Sequence, residues 1–221
     1  MGTFEKTTRP LTDKERRFVS SALARHKDRA DTLPRRSLFL GLGLFAFFAV
    51  AMTATTFLDK RGPAWYYCLL ISLAIAAPIS LWSYFEVKLK VYREVDLYEG
   101  ALRRDEATVI RIQSNAMIEF EEKEDEGACY AFQLDNHQLI FISGQDYYPS
   151  AKFPNSDFSI VEIHGEDGKP IESVIEKNGS KLKPLRKLSW PQKRSTSFPE
   201  DLEIIEGDLD NLEEVLTARQ K

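Results

Sequence analysis

The sequence predicts an α+β membrane protein: a two-helix transmembrane hairpin followed by a small antiparallel β-rich domain, barrel- or sandwich-like, with a C-terminal helix. Three observations carry this expectation. Two apolar segments, residues 37–58 and 64–85, are each 22 residues long and contain no charge. After Asp105 the hydrophobic period changes from three and four to two. Charge is also split along the chain. Residues 1–36 hold ten Lys/Arg against five Asp/Glu, and residues 86–221 hold 18 against 28.

At about 1.5 Å of rise per residue, each apolar segment reaches roughly 33 Å, enough for a hydrocarbon core of about 30 Å. Inside lipid the backbone must satisfy its own hydrogen bonds, which makes both segments helices. The connection Asp59-Lys60-Arg61-Gly62-Pro63 is short and permits only an antiparallel hairpin. Four regions follow: a basic N-terminal segment (1–36), the hairpin (37–85), a helical stalk (86–104) and a β-rich domain (105–221).

Orientation is read from the flanks. Arg35 and Arg36 precede the first span, and Lys88, Lys90 and Arg93 follow the second. The positive-inside rule then places both termini and the β domain in the cytoplasm, as expected for a protein of a bacterial inner membrane. Arg35-Arg36-Ser37-Leu38-Phe39-Leu40 also loosely resembles a twin-arginine signal, with Ala49-Val50-Ala51 as a cleavage site. Cleavage there would leave a short exported piece ahead of another span, so the first segment is read as a span.

Residues 1–10 show no periodicity and are expected to lack structure. Thr12 and Glu15 have capping-box spacing, opening a short amphipathic helix on which Phe18, Val19, Ala22 and Leu23 share a face. Arg16, Arg17, Arg25, Lys27 and Arg29 surround that face. Together with Phe18 they form a candidate contact to an anionic bilayer surface, or a solvated helix whose charges set topology. Pro34 is expected to end this helix. In the second span Ser72, Ala76 and Ser80 repeat every four residues, a stripe for close approach of the first span or of a second copy. Trp65, Tyr66, Tyr67, Trp82 and Tyr84 mark the two interfaces, and Pro78 is expected to kink the helix. Neither span holds an ionisable side chain of the kind that lines proton or ion paths, which argues against transport.

From residue 84 onward Tyr84, Val87, Val91, Val95, Tyr98 and Leu102 recur at helical spacing, with a weak point at Gly100. Strands are expected around 108–112, 116–120, 130–134, 139–143, 158–164 and 171–177. A turn at Asn136-His137 would set Leu134 opposite Leu139 and Phe132 opposite Phe141, one apolar face across a hairpin. Asn178-Gly179 reads as a second hairpin turn, leading into 181–188. Residues 189–201 read as a linker. A short strand at 202–205 then precedes a helix capped by Asp208, with Leu209, Leu212 and Leu216 inward.

Chemistry is sparse. Cys68 and Cys129 lie in a span and a strand, which gives no sign of a disulfide. His26, His137 and His164 lack metal-ligand spacing, and no phosphate loop, dinucleotide fingerprint or serine elbow occurs. No cofactor, metal or catalytic residue is expected, and the acidic domain lacks the basic stripe that nucleic acid requires. The acidic tip, Glu121 to Gly127, lacks calcium-loop spacing. The best candidate is the long aperiodic loop 144–157. Gln145, Asp146, Tyr147, Tyr148, Lys152, Phe153 and Asn155 could there contact a ligand or partner, or its aromatics could plug the end of the β domain.

A two-span hairpin, about seven strands and a closing helix resembles, in element count and order, bacterial membrane proteins with a pleckstrin-homology-like cytosolic domain. Two functions are held open. One is a membrane-anchored binding or scaffolding module for a protein or peptide. The other is a membrane-anchored enzyme using carboxylates such as Glu119, Glu121 or Asp146, which a buried pair of perturbed carboxylates in a pocket would favour.

Overall fold

The computed structural model describes residues 2–58, 65–122, 125–135, 137–189, 193 and 198–219. The connection 59–64, Lys123 and Glu124 of the acidic tip, Asn136 and most of 190–197 lie outside them, as do the side chains of Trp65, Tyr66 and Cys68. The chain forms two compact units. One comprises residues 11–105 and 164–171; the other comprises 1–10, 106–163 and 172–221.

The first unit is two long helices, α1 (Asp13–Leu58) and α2 (Trp65–Arg104), packed against each other. Thr12 opens α1 as the spacing requires: its N–H donates to Glu15 Oε2 at 2.7 Å, and the Glu15 N–H donates to Thr12 Oγ1 at 3.3 Å. Pro34 does not end this helix. It lies buried inside a continuous 46-residue element that includes both the amphipathic segment and the first apolar stretch. Proline removes one backbone bond and costs a helix about 3 kcal/mol, and packing along α2 offsets that cost. The helix α2 likewise runs through Pro78 and past Gly100. Gly100 is a site of close approach, because a Cβ there would press on Glu166 of the 164–171 turn. That turn is fastened by Arg103 Nη2, which donates to Glu166 Oε2 at 2.7 Å.

Both helices contain stretches long and apolar enough to cross a membrane, with mean hydropathy of 1.4 and 1.5. Their apolar side chains are largely exposed, Phe39 at 70 % and Leu40 at 71 % among them.

The second unit is a two-sheet β structure with a helix on its outer face. Strand β1 (Thr3–Arg9) pairs antiparallel with β2 (Ala107–Gln113), and β2 pairs with β6 (Asp157–His164), which neighbours β7 (Pro170–Lys177). The expectation of an unstructured residue 1–10 segment is therefore corrected. Phe4 packs against the core, but Glu5, Lys6, Thr7 and Thr8 are exposed, so an edge strand with little apolar content hides its period. Arg9 stands opposite Ala107, so the whole 11–105 helical segment is an insertion at the turn of a β-hairpin.

The other sheet holds β3 (Met117–Phe120), β4 (Ala128–Leu134) and β5 (Gln138–Gly144). They are flanked by short β8 (Lys187–Leu188) and β9 (Ile204–Glu206), in the order β8-β3-β4-β5-β9. β8 runs parallel to β3, an exception to the antiparallel expectation. The β4–β5 register also differs from the expected one. Phe132 pairs with Ile140 and Ala131 with Phe141, which leaves a three-residue loop with His137 at φ 55°. A one-residue shift moves side chains to the opposite face.

The consequence is a sheet buried on both sides. Phe132, Tyr130 and Ile140 meet Ile110, Ile112, Phe158 and Ile160 of the first sheet. Phe141, Ala131 and Leu139 meet Leu209, Leu212 and Leu216 at the chain's end, where a 3-10 turn leads into α3 (Leu212–Ala218). Asn178-Gly179 forms no hairpin. Residues 178–181 run back beside 154–157, with a bridge between Asn155 and Lys181. A Cβ on Gly179 would overlap Ser156 and Asp157, so glycine is required for close approach rather than for a primed turn. Within the 189–201 linker, Lys193 is buried and Phe198 packs on Phe120 and Phe141.

Candidate functional site

The 144–157 loop divides into buried anchors and an exposed ridge. Gln145–Tyr147 is a single 3-10 turn. The Tyr147 ring is buried beside Phe153, and its hydroxyl donates to Asp201 Oδ2 at 3.4 Å. Phe153 is fully enclosed by Tyr130, Phe158 and Tyr147, with Lys177 Nζ over its ring at 5.8 Å. Asn155 is also fully buried, and all its capacity is used internally. Its Nδ2 donates to the carbonyls of Lys152 and Gly179, and its Oδ1 accepts from the N–H groups of Asp157 and Gly179. These three residues plug and brace the β unit.

Between the anchors, Tyr148 to Lys152 is exposed, as are Gln145 and Asp146. The ridge is held on both flanks. Tyr148 Oη donates to Glu122 Oε1 at 2.6 Å, and Gln145 Nε2 donates to the Asp125 carbonyl at 3.1 Å. On the other flank Lys177 and Lys181 donate to Ser150. The hydrogen bond to Glu122, with some desolvation, raises the Tyr148 phenol above its ordinary value. The acidic tip is tied inward too: Glu122 also accepts the Gly127 N–H, and Glu126 accepts from the buried Lys193 at 2.6 Å.

The carboxylates named for the enzyme reading are not brought together. Glu119 accepts from Lys187 at 2.9 Å, and Asp146 and Glu121 are exposed. A group the sequence reading missed, Asp201, is the carboxylate that burial pushes up. It accepts the Ser143 N–H at 2.8 Å, and Glu162 adds like charge. Those bonds lock the segment before β9 onto β5. Nothing in the local sequence singles Asp201 out, because its desolvation depends on the docking of 198–206, and part of the residue stays exposed. Cys129 is buried, which raises its thiol, partly countered by Lys193 with Nζ at 3.5 Å. Among the described residues no cluster of three or more His, Cys, Asp or Glu could hold a metal ion.

In the helical unit the basic residues divide. Arg16 donates twice to the Asp105 carboxylate, and Lys27 pairs with Glu99 at 2.8 Å, which holds the Glu99 carboxyl below its usual range. Arg17, Arg25 and Arg29 are exposed; Arg25 reaches Ser21 one turn back. Phe18 is partly exposed, while Val19 and Ala22 are buried. His26 stacks on Tyr98 with centroids 4.8 Å apart, and its Nδ1 lies 2.9 Å from Glu94 Oε2. These side chains, with Lys169 and Ile171, line a cavity of about 490 Å³. His26 has no partner at ligand spacing in sequence; helix packing brings Glu94 close to its Nδ1, without the geometry of a hydrogen bond. Of the small-residue stripe, Ser72 is buried, and Ser80 meets Gly41, where a Cβ would overlap its hydroxyl. No protein-family model, curated protein or solved structure matches this chain.

Proposed function

We propose that the chain is an integral membrane protein, with α1 and α2 crossing the bilayer and both termini in the cytoplasm. Its β unit acts as a binding or scaffolding module for a protein or peptide partner. The observation that carries the membrane part is the exposure of the uncharged stretches. Only 11 % and 6 % of their most apolar windows are buried, whereas a soluble core helix that apolar would be mostly covered. The basic residues at 35, 36, 88, 90 and 93 favour a cytoplasmic β unit.

For the module, the supporting observation is the ridge Tyr148-Pro149-Ser150-Ala151-Lys152. It presents an aromatic (43 % exposed) and a cation on a loop braced by buried Tyr147, Phe153 and Asn155. A rigid loop with exposed aromatic and basic side chains suits protein recognition, since little ordering entropy is lost on binding.

The test uses a photo-crosslinking residue at position 148 or 152 in the full chain in its native membrane, with position 174 on β7 as control. Discrete adducts at 148 and 152 but not at 174 support the reading, and uniform or absent crosslinking refutes it. For orientation, single cysteines at Thr3, Gly62 and Gln220 are labelled with an impermeant reagent in intact cells, in a background lacking Cys68 and Cys129. Labelling at 62 alone is the expected result.

A further inference from the structure

We propose that the groove between α1 and α2 seats one anionic glycerophospholipid, with its phosphate on Arg36 and an acyl chain along the helices. This rests on the membrane reading above. The groove has a volume of about 750 Å³ and an almost wholly apolar lining. Its chemistry changes in a definite order along the helix axis. Leu33 and Val87 line its outermost turn, with Arg36 just inside them. Next come Ser37 and Ser83, whose hydroxyls hydrogen-bond to each other at 2.8 Å. Beyond them stand Leu40, Leu44 and Phe48 of α1 and Ile71, Ile75 and Ile79 of α2.

Cation, hydroxyl pair and hydrocarbon match the order phosphate, glycerol ester and acyl chain. Arginine binds phosphate oxygens bidentately. When one serine hydroxyl donates to the other, the acceptor keeps its own proton for an ester carbonyl. The length fits as well. Arg36 to Phe48 spans about 18 Å at 1.5 Å per residue, close to half of a hydrocarbon core of about 30 Å plus the ester layer, which is one leaflet.

A second copy fits this groove less well. Another helix would need small residues free for close approach, and Gly41 and Ser80 are already used against each other within the chain. The floor is thus closed by the approach of Gly41 to the Ser80 side chain, and what remains is a channel between aliphatic and aromatic walls.

The experiment is run on the full-length chain in two stages. Membranes containing it are first washed with alkaline carbonate. Release of the chain into the supernatant would defeat the membrane reading and this inference with it. If the chain stays in the membrane, it is purified in neutral detergent and examined by native mass spectrometry. Phosphatidylglycerol or phosphatidylcholine of identical acyl chains is added. The expected result is one phosphatidylglycerol per monomer, preferred over phosphatidylcholine about tenfold. Arg36→Gln should abolish that preference and Arg36→Lys should keep most of it. Ala76→Phe, which fills the groove, should reduce retention of both lipids with helicity unchanged by circular dichroism. Equal retention of the two lipids, indifference to Arg36→Gln, or a lipid-free dimer would overturn the assignment while leaving the membrane reading intact.

Discussion

Phenylalanines in the two units have opposite surroundings. Phe132 and Phe141 are completely buried in the β unit, whereas Phe39 and Phe47 stand about two-thirds exposed on α1. The side chain is the same, and its contribution to stability in water should differ by several kcal/mol. In the β unit the apolar residues drive collapse, because removing them from water is favourable by about 25 cal/mol per Å². In the helical unit they are arranged outward. The same side chain therefore meets opposite surroundings in the two units.

The sharpest way to break this comparison is a pair of truncations, read by denaturation of the β unit in the full chain. Phe132→Ala should cost about 3–5 kcal/mol, and Phe39→Ala should stay within about 0.5 kcal/mol. A large cost at Phe39 would mean that the exposed face belongs to a protein core.

A second experiment separates the units. Since Arg9 pairs with Ala107, replacing residues 11–105 by Asn-Gly should close the β1–β2 hairpin directly and yield a soluble, cooperatively melting β unit. Residues 105–221 alone lack β1 and leave the edge of β2 bare, so that fragment should melt lower or aggregate. Equal behaviour of the two would show that β1 contributes nothing.

Asn155→Ala probes the brace under the ridge. It removes the acceptor of the Asp157 N–H and the donor to the Lys152 and Gly179 carbonyls, while the Gly179 N–H keeps its bond to the Asp157 carbonyl; a buried orphan costs about 1–3 kcal/mol. Crosslinking from position 148 should weaken in parallel, because the ridge loses its support.

Next in size is an acid-dependent term. Arg111 donates to Asp157 through two nitrogens, at 3.1 and 2.7 Å, and Gln113 adds a third bond. The hydrogen bond from Arg111 is the main cause of a lowered Asp157 pKa in the folded state. A carboxyl with a depressed folded value adds stability above its unfolded value of about 3.9, and that stability is lost as pH falls through the lower folded value. Asp157→Asn should flatten this acid limb of the stability curve. Asp201 has the opposite sign: its raised value means a contribution present below about 3.9 that disappears as pH rises through the folded value.

The smallest expected effect is at Tyr130. Its hydroxyl is buried without a hydrogen-bond partner among the described residues, and burial raises its pKa. Tyr130→Phe should be neutral or stabilising by up to about 1 kcal/mol, since no bond is lost and a desolvated group is removed. Clear destabilisation in urea titration would show that the hydroxyl has a partner.

Much of this molecule was determined locally. Long uncharged runs define helices whatever they pack on. The capping spacing of Thr12 and Glu15 starts α1, period two marks β2 to β7, and Leu209, Leu212 and Leu216 share an inner face because they recur at three and four. The candidate loop was also legible, as a stretch dense in aromatics and proline without a period.

Tertiary structure decided the rest, wherever a residue's role depends on a partner distant in sequence. β1 has no signal of its own and becomes a strand because β2 offers an edge. Pro34 stays within a helix because α2 packs along it, and the β4–β5 register is settled by two cores competing for opposite faces. Which aromatics of the loop are anchors and which stay exposed follows from the shape of the space beside Tyr130 and Phe158. Burial is a property of what surrounds a side chain, and the chain brings those surroundings together only when it folds.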